Sequence, residues 1–320
     1  MLAARAALQV VGQCRQLAAK VVARSVRGGL DFMRRQFQGG TEKPDAEPLS
    51  DEARLDAKRM NWLPMRTEVL YGERAHAAET NLLERDSKLG GKHYPAADAL
   101  LAKLLAQVTG QHDYSFQLFI LKNASRNAVA RPGGFLYLDQ GLIDDPIQLP
   151  KAHFALAHEI AHVLQRHETR ELQGMIVDSF STRDEMQKAI ANVRTDPAAV
   201  LANVKVGKDI YARHHADQEL QADSCAARLL ARVYNEPREL AHALDAFLKD
   251  LPAPEAQSAP AAAPNSSAPP MDSKTATQAA ELAALTHEIV ASPAARHPTT
   301  QERTDNLKAI YAEINAGITP

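Results

Sequence analysis

The chain has 320 residues, 45% of them hydrophobic and 24% charged, enough to bury one large core or two smaller ones. A net charge of −2 leaves no global basic field of the kind that holds nucleic acid. No apolar run reaches the roughly 18 residues that a membrane-crossing helix needs, and two cysteines, Cys14 and Cys225, set no disulfide framework.

Residues 1–40 carry seven Lys/Arg against one acid, Asp31. Val10, Cys14, Leu17 and Val21 share a helical face, with Lys20, Arg24 and Arg27 elsewhere. Three readings of this basic amphipathic segment are open: a helix on an anionic membrane surface, an Arg-rich targeting sequence, and a solvated helix packed on the body. Gln9 and Gln13 interrupt the apolar run that a secretory signal requires. Localisation stays between soluble and peripherally membrane-associated.

Residues 41–64 read as a linker and a short helix, with 39–49 rich in Gly, Pro and charge. Helices are expected at 50–60 and 67–89, separated by Pro64, and at 96–108 through Leu100, Leu101, Leu104, Leu105 and Val108. Strands are expected at 114–121 and 134–139, both rich in Tyr, Phe, Leu and Ile. Gly133 and Gly134 lead into the second strand. There they read either as a simple turn or as a place where another backbone approaches closely.

A helix follows Pro150, with Leu156, Ile160, Val163 and Leu164 at helical spacing. Residues 172–210 are expected to be helical, but their apolar pattern is broken and gives no role. Residues 216–234 show a helical stripe of Leu220, Ala227, Leu230 and Tyr234. Six prolines fall between Pro252 and Pro270, so 251–275 reads as a flexible Pro/Ala/Ser insertion within the domain at 65–320. The last helix opens with Thr299-x-x-Glu302, a capping-box pattern, and buries Leu307, Ile310, Tyr311 and Ile314.

The chemistry is concentrated in His158-Glu159-Ile160-Ala161-His162. Two histidines four residues apart lie on one helical face and converge on a point that suits zinc. Glu159 is rotated by about 100°, so it can reach the reacting water without binding the metal. Catalytic zinc usually takes three protein ligands and keeps one position open. A third histidine ten residues after His158 is absent, because Glu168 stands there and Gln165 fills the glycine slot. His167 then reads as an ordinary polar residue near a helix end. A glutamate on a later helix fits instead: Glu219 as third ligand, with Asp223 one turn on as the carboxylate that fixes a ligand histidine's tautomer. Cys225, on the same helix, reads as a small buried residue rather than a ligand.

With these motifs in this order, the chain resembles the gluzincin endopeptidases of peptidase family M48. Asn127-Ala128-Val129-Ala130-Arg131-Pro132-Gly133-Gly134 is similar to the family's N-A-x-x-x-P-G-G. Glu219 to Asp223 is similar to its E-x-x-A-D, and His297-Pro298 with Arg303 to its late H-P-x-x-x-x-R. Arg296 departs from the small hydroxyl residue usual there. The resemblance covers roughly 65–315 and implies a mainly α-helical α+β, zincin-like domain. A small sheet would border the active-site helix with its edge strand, taken as Phe135 to Leu138.

The resemblance implies one zinc per chain and hydrolysis with Glu159 as general base. It gives His297 as oxyanion donor or gate, with Arg303 assisting it. A polypeptide substrate would add as an extended strand near Asn127, Gly133 and Gly134. By analogy the substrates are membrane-associated or misfolded proteins. A chaperone-like binding module with an occluded zinc site is the alternative. An intact Glu159 favours the enzyme. An aminopeptidase would need a further acidic site for the substrate amine, and no motif supplies one.

Overall fold

The computed structural model describes residues 19–38, 48–59, 61–108, 114–202, 204, 216–251 and 300–317. Eleven helices of four residues or more and three strands are found among them. In chain order the helices are α1 Ala19–Gln38, α2 Asp51–Arg59, α3 Met65–Ala77, α4 Lys88–Ala106, α5 Leu149–Gln165, α6 His167–Asp178, α7 Arg183–Asn192, α8 Pro197–Val200, α9 Ala216–Val233, α10 Pro237–Lys249 and α11 Thr300–Asn315. The strands β1 Gln117–Leu121, β2 Ala128–Arg131 and β3 Phe135–Asp139 lie between α4 and α5.

Helix α5 is the axis of the molecule. Pro150 sits in its first turn, where a missing N–H costs nothing. Phe154, Leu156, Ala157, Ile160 and Ala161 are all fully buried. Burial is possible on so many sides because β2 and β3 cover one flank while α9 and α10 cover others. The main core joins α4, the sheet, α5, α9, α10 and α11. Each fully buried Leu or Ile there contributes about 1.5–3 kcal/mol over leaving it in water.

The sheet has the order β1-β3-β2, with β1 parallel and β2 antiparallel to β3. Phe135–Leu138 is therefore the central strand, not the edge strand expected from sequence. Every residue of β3 is buried, which suits a strand paired on both sides. The strand beside α5 is β2, a four-residue run of Ala, Val, Ala and Arg too short and too plain to signal a strand. Between β2 and β3 the chain turns through Gly133 (φ 89°) and Gly134 (φ 95°), a backbone region that only glycine enters freely.

The helix expected at 67–89 stops at Ala77, and the next begins at Lys88 rather than 96. Leu82 and Leu83 break it by extending the sheet: Leu82 bridges Leu121, and Leu83 N donates to Ile120 O at 2.7 Å. Ser87 then caps α4 by accepting from Gly90 N at 3.0 Å, and Pro95 is carried inside the helix.

Within the broken pattern of 172–210, the described residues up to 202 form the rest of α6, then α7 and α8, while 203 and 205–210 lie outside the described residues. Thr182 and Glu185 form a capping box at α7, and Asp196 caps α8. These helices supply a second core with α1, α2 and α3. Val26, Leu30 and Met33 of α1 are buried in it, so this stretch of the N-terminal segment packs on the body. Gln173 Oε1 accepts from the backbone N–H groups of Trp62 and Leu63 and locks the chain entering α3.

Cys225 lies with Ala161 and Ala222 in a small buried cluster between α5 and α9. Cys14 lies outside the described residues, as do His297, Thr299 and the insertion beyond residue 251.

Candidate functional site

Small residues decide where α9 sits. Ala161 on α5 faces Ala222 and Cys225 on α9, all nearly solvent-free, so the two helices pack closely. That packing brings Glu219 over the two histidines of α5. His158 Nε2 lies 2.9 Å from His162 Nε2, and Glu219 reaches to 3.4 Å of the first and 3.5 Å of the second. One donor atom from each residue falls within 4.8 Å of the others. Two imidazoles and one carboxylate, with a cleft on the remaining side, are the donor set of a zinc site that keeps a position open.

Asp223 is fully buried one turn beyond Glu219, with Oδ1 2.9 Å from His158 Nδ1. It is gripped from the far side by Arg303 of α11, which donates from Nε to Oδ2 at 2.8 Å and from Nη2 to Oδ1 at 2.5 Å. Burial pushes the Asp223 carboxyl up, but Arg303 and His158 outweigh it and hold it below its ordinary range. Burial likewise opposes charging of His158, and the hydrogen bonds and charges of Asp223 and Glu219 overcome it, lifting His158 to about 9. A metal at Nε2 must displace that proton.

Arg303 also comes within 3.4 Å of Glu219, and its guanidinium lies 4.8 Å above the Phe247 ring. Sequence reading placed it beside His297. His297 lies outside the described residues, and within them Arg303 contacts the Asp223 and Glu219 carboxylates and the Phe247 ring.

Glu159 stands apart from the three clustered donors. Its Oε2 accepts from Ala130 N at 2.6 Å, on the side of β2 not paired with β3. The cleft between β2 and α5 has a volume of about 760 Å³. The two segments run in the same direction: Ala130 lies beside Glu159, while Arg126 and Lys151, each earlier in the chain, meet at Asp250.

Asn127 lines this cleft, while its backbone exchanges hydrogen bonds with Asp139. Gly133 and Gly134 are buried away from it. A Cβ at Gly133 would come within 2.7 Å of Val69 Cα, and one at Gly134 within 3.1 Å of Ser115 O. Their close approach is to the protein's own α3 and β1 entry, so the geometry fits the turn reading rather than substrate contact.

His167 is the residue that sequence reading passed over. It is fully buried, with Nδ1 3.0 Å from His162 Nδ1. Spacing could not reveal this, because residues five apart do not share a helical face. The contact exists because Arg166 adopts left-handed backbone (φ 58°) and breaks the helix between α5 and α6.

No curated protein matches the chain. The model of peptidase family M48 matches residues 97–311, about two thirds of the chain and including every described residue of the metal group, and the chain therefore belongs to this family of zinc-dependent metallopeptidases.

Proposed function

We propose that the chain is a zinc endopeptidase, with one zinc held by His158, His162 and Glu219 and with Glu159 as general base. The position of Glu159 carries this reading. It shares a helix with two metal donors, stays out of their cluster, and reaches the edge of β2 turned away from β3. Bound zinc would supply the Lewis acid that polarises the scissile carbonyl and acidifies the attacking water. Glu159 takes that water's proton as the C–O bond forms and delivers it to the amine as the C–N bond breaks.

Among the described residues no strand pairs with the edge of β2 turned away from β3, and that edge would offer main-chain hydrogen bonds to an extended polypeptide. The cleft continues from Arg126 and Asp250 past the metal group toward Arg131 and Glu79, which supports cleavage within a chain rather than at its end. The substrate class, membrane-associated or misfolded proteins handled in quality control, rests on the family resemblance. Peripheral membrane contact belongs to the same proposal. The basic charge of residues 1–40 supports it, while Val26, Leu30 and Met33 are engaged with the body. Cosedimentation with anionic but not neutral vesicles is the result expected, and none with either removes it.

Zinc content measured beside casein cleavage tests the enzyme. Cleavage should track zinc and vanish with a chelator. A zinc-loaded protein that binds unfolded casein without cutting it would support the chaperone-like module instead.

A further inference from the structure

We propose that His167 is a positioning residue for the metal ligand His162, holding its ring through a chain of hydrogen bonds that ends on Gln221. The inference rests on the zinc-site reading above and deepens it. His162 turns Nε2 toward His158 and Glu219, so in the ligating tautomer its proton sits on Nδ1 and needs an acceptor. Two groups face that atom from α6: His167 Nδ1 at 3.0 Å and Glu168 Oε1 at 3.5 Å. The nearer has hydrogen-bond geometry. If His167 Nδ1 accepts, its own proton is on Nε2, and that atom lies 3.3 Å from Gln221 Oε1. Every proton in the chain Gln221–His167–His162 then has one donor and one acceptor.

The backbone is shaped to make this contact. In a continuous helix His167 would point well away from His162. Arg166 instead takes left-handed backbone, which an L-residue enters at a cost, and this turns His167 back beneath the metal group. The conformation is held from outside: Arg166 Nη2 donates to Leu63 O at 2.5 Å and lies 3.7 Å from the fully buried Glu68. Strain kept in place by surrounding contacts tends to mark functional positions. The two histidine ligands are thus served differently, His158 by a carboxylate clamped by Arg303 and His162 by a neutral imidazole relay.

The test is zinc affinity, measured on the full chain by competition with a chromogenic chelator, with folding checked by circular dichroism. His167→Leu should bind zinc ~10–100-fold more weakly while remaining folded. His167→Gln, whose amide oxygen can accept the same proton, should recover most of that loss. Glu168→Gln should bind more tightly than His167→Leu.

Zinc affinity unchanged in His167→Leu, with only the melting temperature of the zinc-free protein lowered, would leave a structural role and overturn the proposal. So would Glu168→Gln losing affinity while His167→Leu does not, which would give the positioning to the carboxylate. Should His167→Leu fail to fold, Gln221→Leu breaks the far end of the chain and should cost several-fold in affinity; no loss there refutes the relay. Wild-type protein that takes up no zinc would sink the metal-site reading itself, a different result from wild-type affinity retained by the variants.

Discussion

Arg303 meets Asp223 edge to edge, with two donor atoms on two carboxylate oxygens, and the same carboxylate faces Nδ1 of His158. A guanidinium on α11 thereby sets the ring orientation of a metal donor on α5 through a side chain of α9. Residues 300–317 are in this sense part of the metal centre, although α11 contributes no donor to the clustered group.

In this arrangement the two acids of α9 stand differently, Glu219 facing Nε2 of both histidines and Asp223 facing Nδ1 of His158. Glu219→Ala should remove most of the zinc, because it deletes one of three donors. Asp223→Ala should keep zinc with affinity reduced ~10–100-fold, since His158 loses its orienting partner and not its metal-facing nitrogen. Metal analysis after dialysis, followed by chelator titration, distinguishes them. Equal and complete loss in both would mean that Asp223 binds the metal.

A second prediction concerns pH and the break between α5 and α6. Glu68 is fully buried, accepts from Tyr114 at 3.0 Å and from Thr169, and faces Arg166. Burial raises its carboxyl above the ordinary 4.5, with Arg166, Thr169 and Tyr114 opposing only in part. The folded state therefore holds this proton more tightly than the unfolded chain. Its contribution to stability is full below pH 4.5 and is lost as pH rises through the raised folded value. Glu68→Gln should flatten that part of the stability profile, as read by urea unfolding across pH. A profile unchanged by the substitution would mean that Glu68 titrates normally.

What could be read from sequence divides along physical lines. His158, Glu159 and His162 were legible because helical periodicity alone brings i and i+4 together. Glu219 and Asp223 were legible as a second helical pair, once a third ligand was required. The partner of Asp223 was not, since nothing local to Arg303 says that it returns to α9. β2 was missed because its Ala-Val-Ala-Arg run carries no pattern and is a strand only through its pairing with β3. His167 was misread for a different reason: its contact depends on one residue with positive φ, and Arg166 is not a type that announces one.

A third prediction settles the glycine turn. Gly133→Ala forces a side chain into left-handed backbone and against Val69, so it should destabilise the fold by about 1–3 kcal/mol. Because the turn lies outside the cleft, kcat/KM per folded molecule should stay near wild type. A variant with normal melting behaviour but a raised KM would return Gly133 to the substrate site.

The sharpest test of the chemistry is Glu159→Gln. Gln keeps the length of the side chain and leaves His158, His162 and Glu219 untouched, so zinc content should equal that of wild type. The amide can still receive the Ala130 N–H through its oxygen, and the local structure should hold. What it cannot do is take a proton from the attacking water, so peptide hydrolysis should fall by about 10²–10⁴-fold. The loss should appear in kcat, with substrate binding at the β2 edge little changed, because a missing base acts on the transition state and not on the ground state. Zinc analysis and steady-state kinetics on one preparation are needed together, since lost metal would mimic a lost base. Near-normal turnover by a zinc-loaded Glu159→Gln protein would remove Glu159 from the mechanism. A normal kcat with a raised KM would make it a substrate-binding group at the strand edge instead.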